Sequence, residues 1–286
     1  STGLIDLDAS TVGGPYTITY TTAGTCPNAT TFDVTINAED DPFFDYPQAA
    51  YCQGDADPVA TNLATAGGTF TGPAQIVFTN PSTGLIDLDA STVGGPYTIT
   101  YTTAGTCPNA TTFDVTINAE DDPSFDYPQV AYCQGDADPL ATNVATTGGT
   151  FTAPVQIIFF NTTTGEIDLD ASTAGGPYTI TYTTSGTCPN LATFDVTINT
   201  ELDAGFGYAA TSFCENAADQ DPIFVNTPGG TFTSSDPGID LDSGDGEIEL
   251  DDSQPGNYEV YYTTPGACAT TDTVSFEVIA LDDASF

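Results

Sequence analysis

Apolar and polar residues alternate with a period of two along most of this chain. In residues 3–26, Ile5 and Leu7 alternate with Asp6 and Asp8, and Tyr16, Ile18 and Tyr20 alternate with Thr17, Thr19 and Thr21. That period belongs to a half-buried strand, whose successive side chains leave opposite faces of the pleat. Gly13-Gly14-Pro15 between the two runs predicts a turn, because glycine permits positive φ and proline presets its own. The expected unit is therefore strand, turn, strand and then a cysteine. It returns at 84–107 and 165–188, and in diverged form at 246–268.

Cys26, Cys107 and Cys188 are spaced 81 residues apart, as are Cys52, Cys133 and Cys214. A period of 81 exceeds the roughly 20–50 residues of a solenoid repeat and suits a small self-contained β domain. Residues 1–42 are identical to 82–123. We divide the chain into the back half of one repeat (1–41), three full repeats (42–122, 123–203 and 204–283) and the start of another (284–286). In the second repeat, strands are predicted at 43–52, 59–64, 69–71, 75–79, 85–90, 97–103 and 111–118. No stretch carries a helical period. Short strands punctuated by turn residues every ~8–12 positions, with one early and one late cysteine, predict an all-β fold: tandem immunoglobulin-like β-sandwich repeats. The seams (Glu39-Asp40-Asp41, Glu120-Asp121-Asp122) are short and lack Gly/Ser-rich linkers, which favours a stiff, rod-like array.

Charge changes the functional picture. The 286 residues include 40 Asp and Glu and no Lys, Arg or His, for a net charge of −40. No side-chain salt bridge can form, so every carboxylate must be solvated, hydrogen-bonded or matched by a bound cation. Nucleic acid is excluded as a partner, because nothing neutralises phosphate. Anionic lipid is disfavoured for the same reason. With 39% hydrophobic residues, 14 Tyr and 17 Phe in regular alternation, the chain reads as folded rather than disordered. No apolar run approaches the ~18 residues of a membrane-spanning helix. Without His or Lys there is no ordinary nucleophile–base pair, so the chain is not expected to be an enzyme.

Seven cysteines at fixed positions indicate an oxidising compartment. Pairing the early and late cysteine of each repeat predicts Cys52–Cys107, Cys133–Cys188 and Cys214–Cys268. Each closure would stabilise its repeat by roughly 4 kcal/mol. Cys26 is left over. Its partner would lie before residue 1, so the chain reads as a segment of a longer array; a free reactive thiol is the competing reading.

Two acidic features are candidates for cation binding. The strand doublets Asp6/Asp8, Asp87/Asp89 and Asp168/Asp170 would place paired carboxylates roughly 7 Å apart on one sheet face, where a solvated outer face is the simpler account. The seams offer a better set. Glu39, Asp40 and Asp41 with Asp55 and Asp57, and their copies Glu120, Asp121 and Asp122 with Asp136 and Asp138, supply the hard oxygen ligands that calcium takes. Solvated linker acids are the alternative there, and no cofactor is required. Outward threonines such as Thr17, Thr19 and Thr21 suit a strand for its own sake; ice or glycan binding is the alternative.

The string G-x-I-D-L-D-A-S-T…G-x-Y-T-I-T-Y-T-T-x-G-T-C-P-N, seen whole at 165–190 and preceded by Y-C-Q and G-G-T-F-T, resembles the repeats of very large Bacteroidetes surface adhesins, notably the gliding-motility adhesins. The resemblance covers the whole chain. It implies an extracellular location on the outer face of the outer membrane, export by the type IX route, and gliding and secretion machinery as partners. It also implies contact with a substratum or polysaccharide through another part of the protein, with neighbouring repeats as the immediate partners of each unit. The expected function is a stiff, disulfide-stapled stalk segment. The alternatives are a calcium-dependent glycan- or ice-binding module and a self-assembling extracellular fibre subunit.

Overall fold

A computed structural model describes residues 2–282; the expected start of another repeat at 284–286 lies outside the described residues. Among those residues every regular element is a β-strand, and the fold is all-β and immunoglobulin-like. The chain divides into two compact units, one holding Ser1–Asp121 with Gly186–Asn190, the other Asp122–Ser185 with Leu191–Phe286.

In the first unit, a four-stranded sheet has the order Ala50–Cys52, Ala110–Asn118, Gly94–Thr102, Thr69–Thr71. Strand Ala50–Cys52 runs parallel to its neighbour Ala110–Asn118, with Tyr51 opposite Ile117 and Cys52 opposite Asn118. The other pairings are antiparallel. A second layer is the two-stranded sheet Val77–Asn80 with Leu85–Asp87. Between the layers lies a core of Phe44, Tyr46, Tyr51, Phe70, Ile86, Ile99, Tyr101 and their neighbours. No tryptophan is present, and aromatic contacts do its work. Phe70 and Tyr101 pack with ring centroids 4.5 Å apart, and Phe44 meets Phe70 edge-on at 5.1 Å. The buried hydroxyls are satisfied. Tyr101 donates to the Thr65 carbonyl at 2.6 Å and accepts the Gly68 N–H at 3.0 Å. Tyr46 donates to the Gly84 carbonyl.

The second unit contains two such cores, one spanning Phe125 to Ile198 and one spanning Ala204 to Val278. Each lies beneath a four-stranded sheet of the same order and mixed pairing.

Three expectations need correction. The segment expected as a strand at 43–52 is extended only at Ala50–Cys52, and the strand expected at 59–64 reduces to a bridge between Thr61 and Asp45. Pro42, Pro47 and Pro58 lack the N–H a ladder needs. The strand expected at 85–90 ends at Asp87. The Asp87 carboxylate accepts the Ala90 N–H at 2.9 Å, and the buried Ser91 hydroxyl bonds the Asp87 carbonyl at 2.6 Å. Asp87 therefore closes the strand and Asp89 lies in the turn that follows, so the two do not share one pleated face.

The third correction concerns Gly-Gly-Pro, which is not a hairpin turn. Gly94 and Gly95 begin the long strand Gly94–Thr102 and shift its register against the partner before Tyr97. Gly95 has φ +126, and a Cβ there would meet the Val115 carbonyl oxygen at 2.9 Å, so only glycine fits this bulge. The strands flanking Gly-Gly-Pro consequently lie in different sheets.

Candidate functional site: the stapled seams

The disulfides differ from the expected pairing. Cys52 is bonded to Cys188 and Cys133 to Cys268, with Cα separations of 5.5 Å in both. Cys26, Cys107 and Cys214 are free thiols. The register explains why Cys52–Cys107, Cys133–Cys188 and Cys214–Cys268 do not form. Cys52 stands beside Asn118, at the far end of the nine-residue strand Ala110–Asn118. Cys107 lies in the loop just before that strand begins. At ~3.4 Å per residue the two are roughly 27 Å apart, whereas a disulfide needs Cα atoms within about 7 Å. The same holds for Cys133 beside Asn199 and Cys214 beside Ile279. The first cysteine of a repeat therefore reaches the second cysteine of the following one, and each staple links successive repeats.

The seam acids build this junction by accepting hydrogen bonds. Asp40 takes the Gly105 N–H and the buried Thr103 hydroxyl, both at 2.9 Å, while its own N–H binds the Cys107 carbonyl. Glu39 accepts from the Asn109 side chain. Asp121 repeats this on Gly186 at 2.8 Å and on the Cys188 carbonyl, with Glu120 on Asn190 at 3.0 Å. Gly54 packs so closely on the Glu120 carboxylate that a Cβ would collide with it. Leu202 takes Asp121's place on the Cys268 carbonyl.

The remaining predicted ligands are also occupied by donors. Asp41 caps Phe43 N–H, Asp55 caps Cys52, Asp57 caps Leu88, Asp136 caps Cys133 and Asp138 caps Leu169, all at 2.7–3.0 Å. Asp122 accepts both the N–H and the hydroxyl of Ser124, which holds its carboxyl below the usual range. In a chain without side-chain cations, backbone N–H groups are the counter-charge at hand, and hydrogen bonds to an ionised acceptor are the stronger kind.

Among the described residues, no three seam acids have ligand atoms within 4.8 Å of one another. Among the described residues, the grouping of three carboxylates with ligand atoms within 4.8 Å of one another is Asp240, Glu249 and Asp252. Asp240 faces Glu249 across the short ladder, and this proximity, with burial and Asp252, raises the Glu249 carboxyl. Asp221 and its neighbours raise Glu247 in the same way. In the second repeat the ladder pair is Val77 and Asp87, so this grouping is a property of the fourth repeat. Sequence reasoning missed the other half of the seam: Gly54, Thr103, Gly105 and Asn109. Its one signal was T-x-G-T-C-P-N recurring at a fixed distance from E-D-D.

No family model matches the chain, and no curated protein matches it. Solved structures similar to it include mouse cadherin-23 EC22-24 (15% identity, TM-score 0.28, covering 84% of this chain and 100% of that one). Others are protocadherin gammaB7 EC3-6 (13%, TM-score 0.32, 92% and 84%) and Drosophila N-cadherin EC1-4 (12%, TM-score 0.26, 97% and 86%). At these scores no property of those proteins transfers to this chain. No helix among the described residues is long and apolar enough to cross a membrane.

Proposed function

We propose that this chain is a load-bearing spacer segment of an extracellular array, and that the array is the stalk of a bacterial surface adhesin of the gliding-motility kind. The observation that carries the mechanical part is the pairing of Cys52 with Cys188 and of Cys133 with Cys268. A staple inside one repeat would stabilise that repeat alone. A staple between successive repeats resists their separation, so tension must break a covalent bond before a junction opens. Near-identical copies, each with its own aromatic core, suit a part whose work scales with number rather than with a single site. The adhesin and gliding assignment rests on the sequence resemblance.

Pulling single molecules from both ends tests the reading. Oxidised chains should yield at shorter total extension than reduced ones, because the segments closed by the staples cannot lengthen. Equal extension with and without reductant would remove the mechanical role. Calcium at the seams is an auxiliary part of the proposal, tested by melting in calcium and in chelator at matched ionic strength; equal melting would remove it.

A further inference from the structure

The fourth repeat departs from the others at the start of its first long strand. Between the buried serine and the strand tyrosine, the second repeat has Thr92-Val93-Gly94-Gly95-Pro96 and the fourth only Gln254-Pro255-Gly256-Asn257. The bulge is gone. Strand Gly256–Thr263 pairs with Thr271–Ile279 without a register break, setting Asn257 opposite Glu277 and Glu259 opposite Ser275. Tyr258, Val260, Phe276 and Val278 are buried, so these four polar residues alternate onto the outer face. The flanking strands add two more. Thr211 accepts the Glu277 N–H at 2.8 Å, and the Ser235 N–H binds the Glu259 carbonyl at 3.2 Å. Together the six line an open groove of about 560 Å³, within the ~300–1,000 Å³ of small-molecule sites.

The second and third repeats have no such lining. There Thr98 bonds Asp114 and Thr179 bonds Asp195, both at 2.7 Å, so each outer carboxylate is satisfied by the strand beside it. In the fourth repeat acid and hydroxyl have changed strands. Glu259 instead accepts the hydroxyl of Tyr261, which stands where the other repeats have Thr100 and Thr181 and lies half-buried on the same face. Ser235 sits against that same hydroxyl. An aromatic ring thus borders the groove, held by one of its carboxylates.

The lining decides the chemistry of the ligand. Two carboxylates only accept, the asparagine, serine and threonine side chains both donate and accept, and no cation is present. An anion is therefore excluded. An apolar ligand would strip water from these groups and return no hydrogen bond. A cation would meet carboxylates still open to water, where an ion pair is worth little. A neutral polyol supplies hydroxyls that donate to the carboxylates, in the stronger charge-assisted bonds, and accept from Asn257 and the hydroxyls. We propose that this groove binds a neutral saccharide, with Glu259, Glu277 and Asn257 reading its hydroxyls and Tyr261 lying against the C–H face of one sugar ring. The site belongs to the fourth repeat alone and does not depend on the load-bearing role of the array.

The test screens the full chain by amide NMR against neutral oligosaccharides of glucose, mannose, galactose and N-acetylglucosamine, with spermidine as the cationic probe. At least one oligosaccharide should bind, with shifts confined to residues 255–261 and 273–277. Glu277→Gln, Asn257→Ala and Tyr261→Thr should each weaken it by about tenfold or more while leaving the melting temperature in place, since all three side chains lie on the outer face. Tyr261→Thr restores the residue of the other repeats, which should show no shifts. No binding by any of these saccharides would overturn the proposal, as would shifts outside the groove or affinity unchanged in the three variants. Spermidine binding there more tightly than every saccharide would also overturn it, making the groove a cation site.

Discussion

The hairpins Gly13–Thr21/Ala29–Ile36 and Gly94–Thr102/Ala110–Asn118 are built from the same amino acids in the same register, down to the break after the first glycine. Thr17 bonds Asp33 and Thr98 bonds Asp114, both at 2.7 Å. Beyond the hairpin the two regions part. Leu85–Asp87 is a strand because Val77–Asn80 lies beside it, while the same residues at 4–6 form no strand. Leu88 is fully buried and Leu7 is 63% exposed. Ladder, bulge and cross-strand pairs are therefore local properties of the sequence. The second sheet and the core depend on the forty residues that precede the hairpin.

That contrast can be broken or sharpened by experiment. The largest effect should come from Cys188→Ser. On the chain-entropy estimate, losing a loop of 136 residues removes about 5 kcal/mol, seen by calorimetry as a lower melting temperature of the stapled repeats. Hydrogen exchange at Ile18 should stay as it was. Next, Tyr101→Ala should cost about 3–5 kcal/mol in urea unfolding, through the lost ring and its two buried hydrogen bonds. Tyr20→Ala, the same change in the same sequence, should stay within about 0.5 kcal/mol. Equal costs would refute the claim that burial separates the two regions.

Gly95→Ala and Gly14→Ala probe the feature the regions share. Both glycines have positive φ and a carbonyl oxygen 2.9 Å from a Cβ, so each substitution should cost more than about 1 kcal/mol and loosen its own hairpin in hydrogen exchange. If only Gly95→Ala has an effect, the bulge is imposed by the core and is not local.

The smallest effects are those of pH. Burial raises Tyr46, Tyr127 and Tyr208, while in the unfolded chain tyrosine ionises near pH ~10. Their stability contribution is therefore complete below that pH and falls as pH rises above it. Residues 1–41 contain no counterpart of Tyr46 and should not share this loss. Glu247 and Glu249 are also raised, chiefly by Asp221 and Asp240 respectively. The fourth repeat should thus lose stability as pH rises through their titration, by an amount that added salt diminishes.

Much of the fold was legible in the residues. The long strands announce themselves by alternation, and Ile99, Tyr101, Val115 and Ile117 fall on the buried face, as their pattern requires. The first third of each repeat was less legible, because prolines leave Phe44 and Tyr46 buried without a ladder around them. At the seam, composition named the carboxylates but not their partners. An aspartate that caps a glycine N–H 65 positions away leaves no local trace.

The sequence by itself determined the period of 81, the β character and the hairpin, since these follow from side-chain alternation and a glycine bulge within about 25 residues. It also determined that no side-chain cation would answer the carboxylates. Only the tertiary structure decided the cysteine partners. Spacing pairs Cys52 with the nearer Cys107, but a nine-residue strand holds them at opposite ends and brings Cys188 within reach instead.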